Sequence, residues 1–153
     1  VLIQAPYAVE CFEENEVVLP MTVLEELDNL KKEEGEKGAN VRRVICILDA
    51  YREKGNLLEG VYTGHGGILR VEKNYLNVEL PEDLPDHKSD NRILKICIGL
   101  SKESPKQVIL VTKDILLRIK AQFSSRAEHS VHQVLPIVGI CHLPASVLRF
   151  FPV

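Results

Sequence analysis

Three acidic residues stand near the starts of predicted helices: Glu26, Asp90 and Asp114. Asp114 follows the apolar and β-branched run Val108–Thr112, which is typical of a strand buried on both faces, and it precedes a helical repeat of apolar residues. Ligand sites in open α/β sheets form outside the carboxyl ends of the strands. Three such carboxylates can therefore meet at one edge of a sheet.

Clustered carboxylates repel each other unless a cation lies between them, and a hard divalent ion such as Mg²⁺ or Mn²⁺ is the usual cation. Such an ion activates water and stabilises phosphoryl transfer. The chain has 22 acidic residues, however, and each candidate is equally able to cap its helix. From the residues alone, capping and metal binding both stay open.

Helical spacing separates two neighbouring carboxylates of the first helix. Thr22 and Glu25 are spaced as a capping box, and Ser89 is the expected N-cap of the helix that carries Asp90. The apolar stripe of the first helix consists of Val23, Leu24, Leu27 and Leu30. On the helical wheel Glu25 points away from that stripe, whereas Glu26 lies at its edge, within reach of a cleft.

Strands alternate with helices along the chain, which predicts an α/β fold with a mostly parallel sheet and helices on both faces. Val1–Ala5 is predicted to be the end of a first strand. We expect helices at about residues 39–54 and 89–101, a hairpin at residues 60–72 and a final strand within residues 131–138.

The 153 residues are 45% hydrophobic and 27% charged, which is typical of one globular domain. The net charge of −3 excludes a general attraction to nucleic acid, so any such contact needs a local basic patch. Four separated cysteines argue against a zinc site or a disulfide framework, and Cys46 and Cys97 are predicted to be buried. This cysteine pattern predicts a reducing, cytoplasmic location. Because no apolar run or leader pattern is present, we expect neither a membrane span nor a signal peptide.

Three segments carry a family resemblance: VVLPMTVLEELDNLKK (17–32), SDNRILKICIGL (89–100) and VILVTKDILLRIKA (108–121). The hairpin segment GGILRVE (66–72) accompanies them. Together they resemble the PIN-domain nucleases, and more narrowly the PIN domain at the N-terminus of PhoH-like proteins. The resemblance covers residues 1–128 and leaves residues 129–153 as an unassigned extension or last strand.

The resemblance implies a Rossmann-like α/β/α sandwich with a small hairpin insertion near residues 60–72. It also implies a nuclease that holds Mg²⁺ or Mn²⁺ with three or four acidic residues and cleaves single-stranded RNA. The residues that match the catalytic metal ligands are Glu26, Asp90 and Asp114. Asn91 and Thr112 are expected to contact these ligands and orient them without binding the metal themselves. The cations that either contact the RNA backbone or serve as ordinary surface and helix-end charges are Arg92, Lys113 and Arg118.

The chain departs from the family pattern at its start. The family opens with an Asp-Thr-x-Val-Leu strand whose aspartate binds metal, and this sequence begins at Val1 and Leu2, so that aspartate would lie upstream of it. With three ligands we expect weaker metal binding and lower activity. A PhoH-like ATPase half also lies outside these 153 residues.

Two functions of different classes follow. The first is a metal-dependent endoribonuclease that cleaves single-stranded RNA with a metal-activated water. The second is a non-catalytic module that binds or regulates a PhoH-like ATPase partner or domain, or forms a homo-oligomer, and the apolar segment Leu148–Phe151 and the incomplete acidic set favour it. A nucleotide-binding Rossmann-like domain is disfavoured because the chain lacks a G-x-G-x-x-G motif.

Overall fold

The structure is a computed structural model, and it describes residues 1–12, 14–64, 66–124, 133–135 and 147–150. For residues 123–124 and the last two ranges, only the backbone is described. The helices are a 3-10 helix (Pro6–Glu10), α1 (Met21–Leu30), α2 (Gly35–Lys54), α3 (Ser89–Glu103) and α4 (Ile115–Ser124). The strands are β1 (Glu16–Pro20), β2 (Val61–Tyr62), β3 (Ile68–Glu72), β4 (Gln107–Val111), β5 (Gln133–Leu135) and β6 (Val147–Phe150).

The six described strands form one sheet in the order β2-β3-β1-β6-β4-β5. β1 pairs in parallel with β3 and β6, and β4 pairs in parallel with β6 and β5. β2 pairs antiparallel with β3, with Val61 opposite Leu69. The predicted hairpin is thus confirmed, and it forms one edge of a mostly parallel sheet.

Consecutive residues of the central strands are buried, as expected where helices cover both faces of a sheet. The residues Val17–Leu19 of β1 and Val108–Val111 of β4 are each at most 1% exposed. Full burial of a Val or Leu side chain contributes about 1.5–3 kcal/mol, so these strands supply much of the core's stability. Helix α1 contacts β1 and α3 contacts β4. The predicted α/β sandwich is therefore confirmed.

Two predicted helix caps are wrong. α1 begins at Met21 with Pro20 as its N-cap residue, so Thr22 already lies inside the first turn. α3 begins at Ser89 itself, with Lys88 as its N-cap residue and no side-chain cap. In α1 the reason is that strand β1 ends at Pro20 and the helix begins at the next residue. Pro20 therefore stands at the N-cap position, and Thr22 lies two residues too late to cap the helix.

Helix α2 begins at Gly35, earlier than the predicted start at residue 39. An ion pair between Lys37 and Glu33, with 2.9 Å between the charged atoms, spans this first turn. Glu36 also lies in the first turn, where a negative charge stabilises the helix N-terminus. These charges support a turn without large apolar residues, and an apolar pattern therefore cannot detect it.

One of the two cysteines predicted to be buried is exposed. Cys97 of α3 is fully buried, and burial raises the pKa of its thiol. Cys46 of α2 is exposed. The core-facing stripe of α2 consists of Val41, Val44, Leu48 and Tyr51. Cys46 lies off that stripe, since two residues correspond to more than half a helical turn.

The prediction that Val1–Ala5 forms the end of a strand is wrong. The backbone makes a turn in which the amides of Gln4 and Ala5 donate to the carbonyl of Val1 at 3.0 Å, while Leu2 is fully buried. The sheet position between β1 and β4 is taken by β6, which pairs with both strands.

The stretch from residue 129 to 153 contributes β5 and β6 to the same sheet. A strand predicted within residues 131–138 is thus confirmed as β5, but it is not the final strand, because β6 follows it. The domain division predicted after residue 128 stays a prediction. In the part of the chain that the structure describes, no helix has the length and apolar character needed to cross a membrane.

Ion pairs tie β1 to β3 and to the loop before β4. Arg70 Nε lies 2.5 Å from Glu16 Oε1, and Arg70 Nη1 lies 2.6 Å from Glu72 Oε2. Lys106 Nζ lies 2.7 Å from the other oxygen of Glu16. Burial opposes the charge on Glu16, but the hydrogen bonds and charges of Lys106 and Arg70 outweigh it and hold the pKa of this carboxyl below its usual value.

Candidate acidic site

Asp114 caps helix α4. Its Oδ1 accepts hydrogen bonds from the backbone amides of Leu116, at 2.7 Å, and Leu117, at 3.3 Å. The Asp114 amide in turn donates to Oγ1 of Thr112 at 3.0 Å, and Thr112 is only 1% exposed. In the described part of the chain, the second carboxylate oxygen of Asp114 makes no hydrogen bond. One oxygen therefore fixes the side chain, and the other stays available to a ligand.

Asp90 lies in the first turn of α3 and forms an ion pair with α4. Its Oδ2 lies 3.2 Å from Nζ of Lys120. The two side chains are partly buried, with 34% of Asp90 and 20% of Lys120 exposed. Asp90 is thus a partly exposed carboxylate that already holds a cation, next to the helix that Asp114 caps.

Asn91, the neighbour of Asp90, is completely buried. Its Nδ2 donates to the backbone carbonyl of Pro85 at 2.7 Å, which ties the loop before α3 to the helix. Its Oδ1 is buried and has no hydrogen-bond partner among the described residues. An unsatisfied buried acceptor costs about 1–3 kcal/mol, so this oxygen is one place where a ligand or water would be stabilising.

Glu26 is half-buried on α1, and its neighbour Glu25 is exposed, as the helical wheel predicted. One turn earlier, Thr22 is 4% exposed and its Oγ1 is buried with no partner in the described part of the chain. The side of α1 that carries Thr22 and Glu26 therefore has two oxygen donors without a described protein partner.

The three predicted RNA-contacting cations lie in different settings. Arg92 is half-buried and lines a narrow crevice beside Thr22. Lys113 is exposed, and its ammonium donates a hydrogen bond to Oε1 of Gln4. Arg118 is half-buried, and its Nε is buried without a hydrogen-bond partner among the described residues.

The elements that carry the acidic residues are adjacent, since α1 contacts α3 and α3 contacts α4. Within residues 1–12, 14–64 and 66–124, however, no three acidic, cysteine or histidine side chains are close enough together to hold a metal ion. The donor chemistry fits Mg²⁺ or Mn²⁺, because the set consists of carboxylates and one of them already binds a cationic group.

Sequence reasoning missed the pairing of Lys120 with Asp90. Lys120 is not among the cations predicted to contact RNA, and its partner is 30 residues away along the chain. No local pattern encodes such a contact, because it depends on how α3 and α4 pack together.

An apolar groove of about 360 Å³ lies elsewhere, between α1 and α2. It is lined by Leu24, Leu27, Asp28, Ile45, Cys46, Leu48, Asp49, Arg52 and Leu57. None of the three predicted metal ligands lines it, so this groove is a separate surface from the acidic site.

Comparisons with known proteins agree with this architecture. A family profile described as a PIN domain matches residues 1–128. The protein PhoH2 of Bacillus subtilis (strain 168) is 46% identical over 127 residues, which are 79% of this chain and 29% of that protein. The protein PhoH2 of Mycolicibacterium smegmatis is 38% identical over 135 residues, which are 86% of this chain and 30% of that protein.

A third similar protein, PhoH2 of Thermobispora bispora, is 37% identical over 123 residues, which are 79% of this chain and 28% of that protein. The chain thus spans less than a third of the length of the curated relatives that it matches. No solved structure gives a significant match.

Proposed function

Because the chain belongs to the PIN-domain family, whose members are generally metal-dependent nucleases, we propose that it is an endoribonuclease that cleaves single-stranded RNA. The observation that carries this proposal is the Asp90 carboxylate, which is partly exposed and holds the Lys120 ammonium beside the helix that Asp114 caps. A carboxylate that binds a cation in this position is suited to a divalent ion.

The residues proposed to hold Mg²⁺ or Mn²⁺ are Glu26, Asp90 and Asp114. When bound, such an ion supplies charge neutralisation at the scissile phosphate and activation of a water nucleophile. The protein's part is to orient the carboxylates. Thr112 and the amides of Leu116 and Leu117 fix Asp114, and Asn91 fixes the loop that leads into Asp90.

The cations Arg92, Lys113 and Arg118 are proposed to bind RNA through its phosphates. Contacts with phosphates position a strand but leave its base sequence unread, so little sequence preference is expected. Because the chain carries a net charge of −3, binding depends on these local cations and should weaken steeply with salt.

The proposal is tested by cleavage of a labelled single-stranded RNA with Mn²⁺. The assay compares this chain with a form extended upstream by the family's Asp-Thr-x segment. We expect stronger, EDTA-sensitive cleavage by the extended form, and loss of cleavage in Asp90→Asn. Glu25→Gln, which changes an exposed carboxylate on the helix of Glu26, is the matched control and should cleave normally.

The apolar groove between α1 and α2 favours a second function, a non-catalytic module that binds a partner. Since the relatives are more than three times as long as the matched region, a PhoH-like ATPase domain or protein is the partner we propose for this alternative. Mn²⁺ distinguishes the two functions. Binding of the ion to an acidic site raises the melting temperature of the chain, whereas the melting temperature of a module without such a site does not change.

A further inference from the structure

We propose that Lys120 is an internal counter-ion of the acidic site: it pairs with Asp90 and competes with a divalent ion for that carboxylate. This inference rests on the proposed function, because it takes Asp90 as a metal ligand. It adds a positioning residue that competes with the metal, so the affinity for metal is set partly by a cation of the protein itself.

The contact between the two side chains is specific. Nζ of Lys120 lies 3.2 Å from Oδ2 of Asp90, and it joins the sixth residue of α4 to the first turn of α3. Both side chains are partly buried, so solvent screens the attraction between their charges less than it would at an open surface. The pair therefore neutralises Asp90 in the absence of metal.

Among the residues that the structure describes, the other predicted ligands have no such counter-ion. In the described part of the chain, neither Glu26 nor Asp114 forms an ion pair. Of the three carboxylates, only Asp90 pairs there with a cation, which is Lys120. Lys113, which is adjacent to Asp114 in sequence, contacts Gln4 instead.

A divalent ion and an ammonium group bound to the same carboxylate repel each other, since like charges a few ångströms apart interact unfavourably. Metal binding at Asp90 therefore works against the Lys120–Asp90 pair, and the measured affinity includes the cost of that repulsion. Removing the ammonium removes that cost, so Lys120→Met should bind metal more tightly, although it loses a contact of the folded chain.

The test is calorimetric titration of Mn²⁺ into the wild-type chain, Lys120→Met, Lys88→Met and Asp90→Asn. Lys88 is the matched control, because it is an exposed lysine two residues before Asp90 and its removal changes the net charge equally. We expect roughly threefold to fivefold tighter binding for Lys120→Met, the range that a weak ion pair accounts for. Lys88→Met should stay close to wild type, and Asp90→Asn should bind at least about tenfold more weakly.

Unchanged or weaker binding by Lys120→Met, with binding lost in Asp90→Asn, overturns the counter-ion and leaves the proposed function standing. Equal gains in Lys120→Met and Lys88→Met also overturn it, because a general charge effect then explains the result. Wild-type binding by Asp90→Asn, or no binding by any form, contradicts the ligand set and the proposed function with it. Melting curves in EDTA confirm folding, and Lys120→Gln replaces Lys120→Met where the latter does not fold.

Discussion

The Asp114 carboxylate accepts the amide hydrogen of Leu116 at 2.7 Å, so a predicted metal ligand is at the same time the N-cap of α4. The two roles use different properties of the side chain. Capping needs an oxygen acceptor, which asparagine also provides, whereas binding a divalent ion needs the negative charge. Substitutions at this residue can therefore separate stability from chemistry.

Asp114→Asn should unfold at nearly the wild-type denaturant midpoint but lose metal-dependent cleavage. Asp114→Ala should lose the cleavage and also about 1 kcal/mol of stability, because the amides of Leu116 and Leu117 lose their acceptor. Urea denaturation and the RNA cleavage assay measure the two effects. Full cleavage by Asp114→Asn would show that this carboxylate acts only as a cap.

Arg70→Met should destabilise the fold by about 3 kcal/mol, because it leaves the carboxylates of Glu16 and Glu72 largely buried without their shared partner. Arg52→Met is the matched control, since Arg52 pairs with Asp49 while both side chains are more than half exposed. The control should unfold at close to the wild-type urea midpoint, because an exposed ion pair contributes little to stability. Urea denaturation of both variants measures the two changes in stability. Equal losses of stability in Arg70→Met and Arg52→Met would contradict a structural role for the Arg70 ion pairs.

Acid should destabilise the chain through Glu16 and Glu72. Although burial opposes their charges, hydrogen bonds from Lys106 and Arg70 to Glu16, and from the Asn74 amide and Arg70 to Glu72, hold both pKa values below the usual 4.5. A carboxyl whose pKa is lowered in the folded state contributes stability above its unfolded pKa and loses it as the pH falls through the folded pKa.

Stability of the wild-type chain should therefore fall as the pH drops below about 4.5. Glu16→Gln should be less stable near neutral pH and should show a shallower acid loss, because one of the two carboxyls no longer titrates. Thermal melting from pH 7 to pH 3 measures both slopes. Parallel curves for the two proteins would mean that Glu16 does not contribute.

Gly99→Ala should destabilise α3. A Cβ at this position would lie 2.1 Å from Cδ1 of Tyr75, whose hydroxyl donates a hydrogen bond to Oε2 of Glu103 at 2.6 Å. We expect a loss of about 1–3 kcal/mol, the usual cost of overpacking. Tyr75→Ala removes the clash, so in that background Gly99→Ala should cost little, and a double-mutant cycle by urea denaturation measures the difference. Equal costs in the two backgrounds would exclude the ring as the cause.

Much of the fold was predictable from local patterns. Buried strands are predicted by the uninterrupted apolar runs of β1 and β4, and the hairpin is predicted by the glycine-rich turn before β3. Both features are set by residues that are neighbours in sequence, so a local pattern can detect them. The cap at Thr22 was misplaced because strand β1 continues directly into α1, and the cap at Ser89 was misplaced by one residue, because α3 already begins there. The placement of β6 between β1 and β4 could not be predicted, since it depends on pairing across the whole chain.

The candidate site was predictable as residue types but not as contacts. The helical wheel correctly separated half-buried Glu26 from exposed Glu25. The ion pair between Asp90 and Lys120 and the unpartnered Oδ1 of Asn91 arise from packing between helices and loops, and no spacing rule contains them. Whether the three carboxylates together bind a metal stays a prediction.

The most direct test of the nuclease function is Mn²⁺-dependent cleavage of a labelled single-stranded RNA by Asp90→Asn and Glu25→Gln. Both substitutions are made in this chain and in the form extended by the Asp-Thr-x segment. If the chain is a metal-dependent ribonuclease, Asp90→Asn abolishes a cleavage that EDTA also stops, and Glu25→Gln leaves it intact. Cleavage that survives Asp90→Asn, or no cleavage by either parent form, would contradict that function.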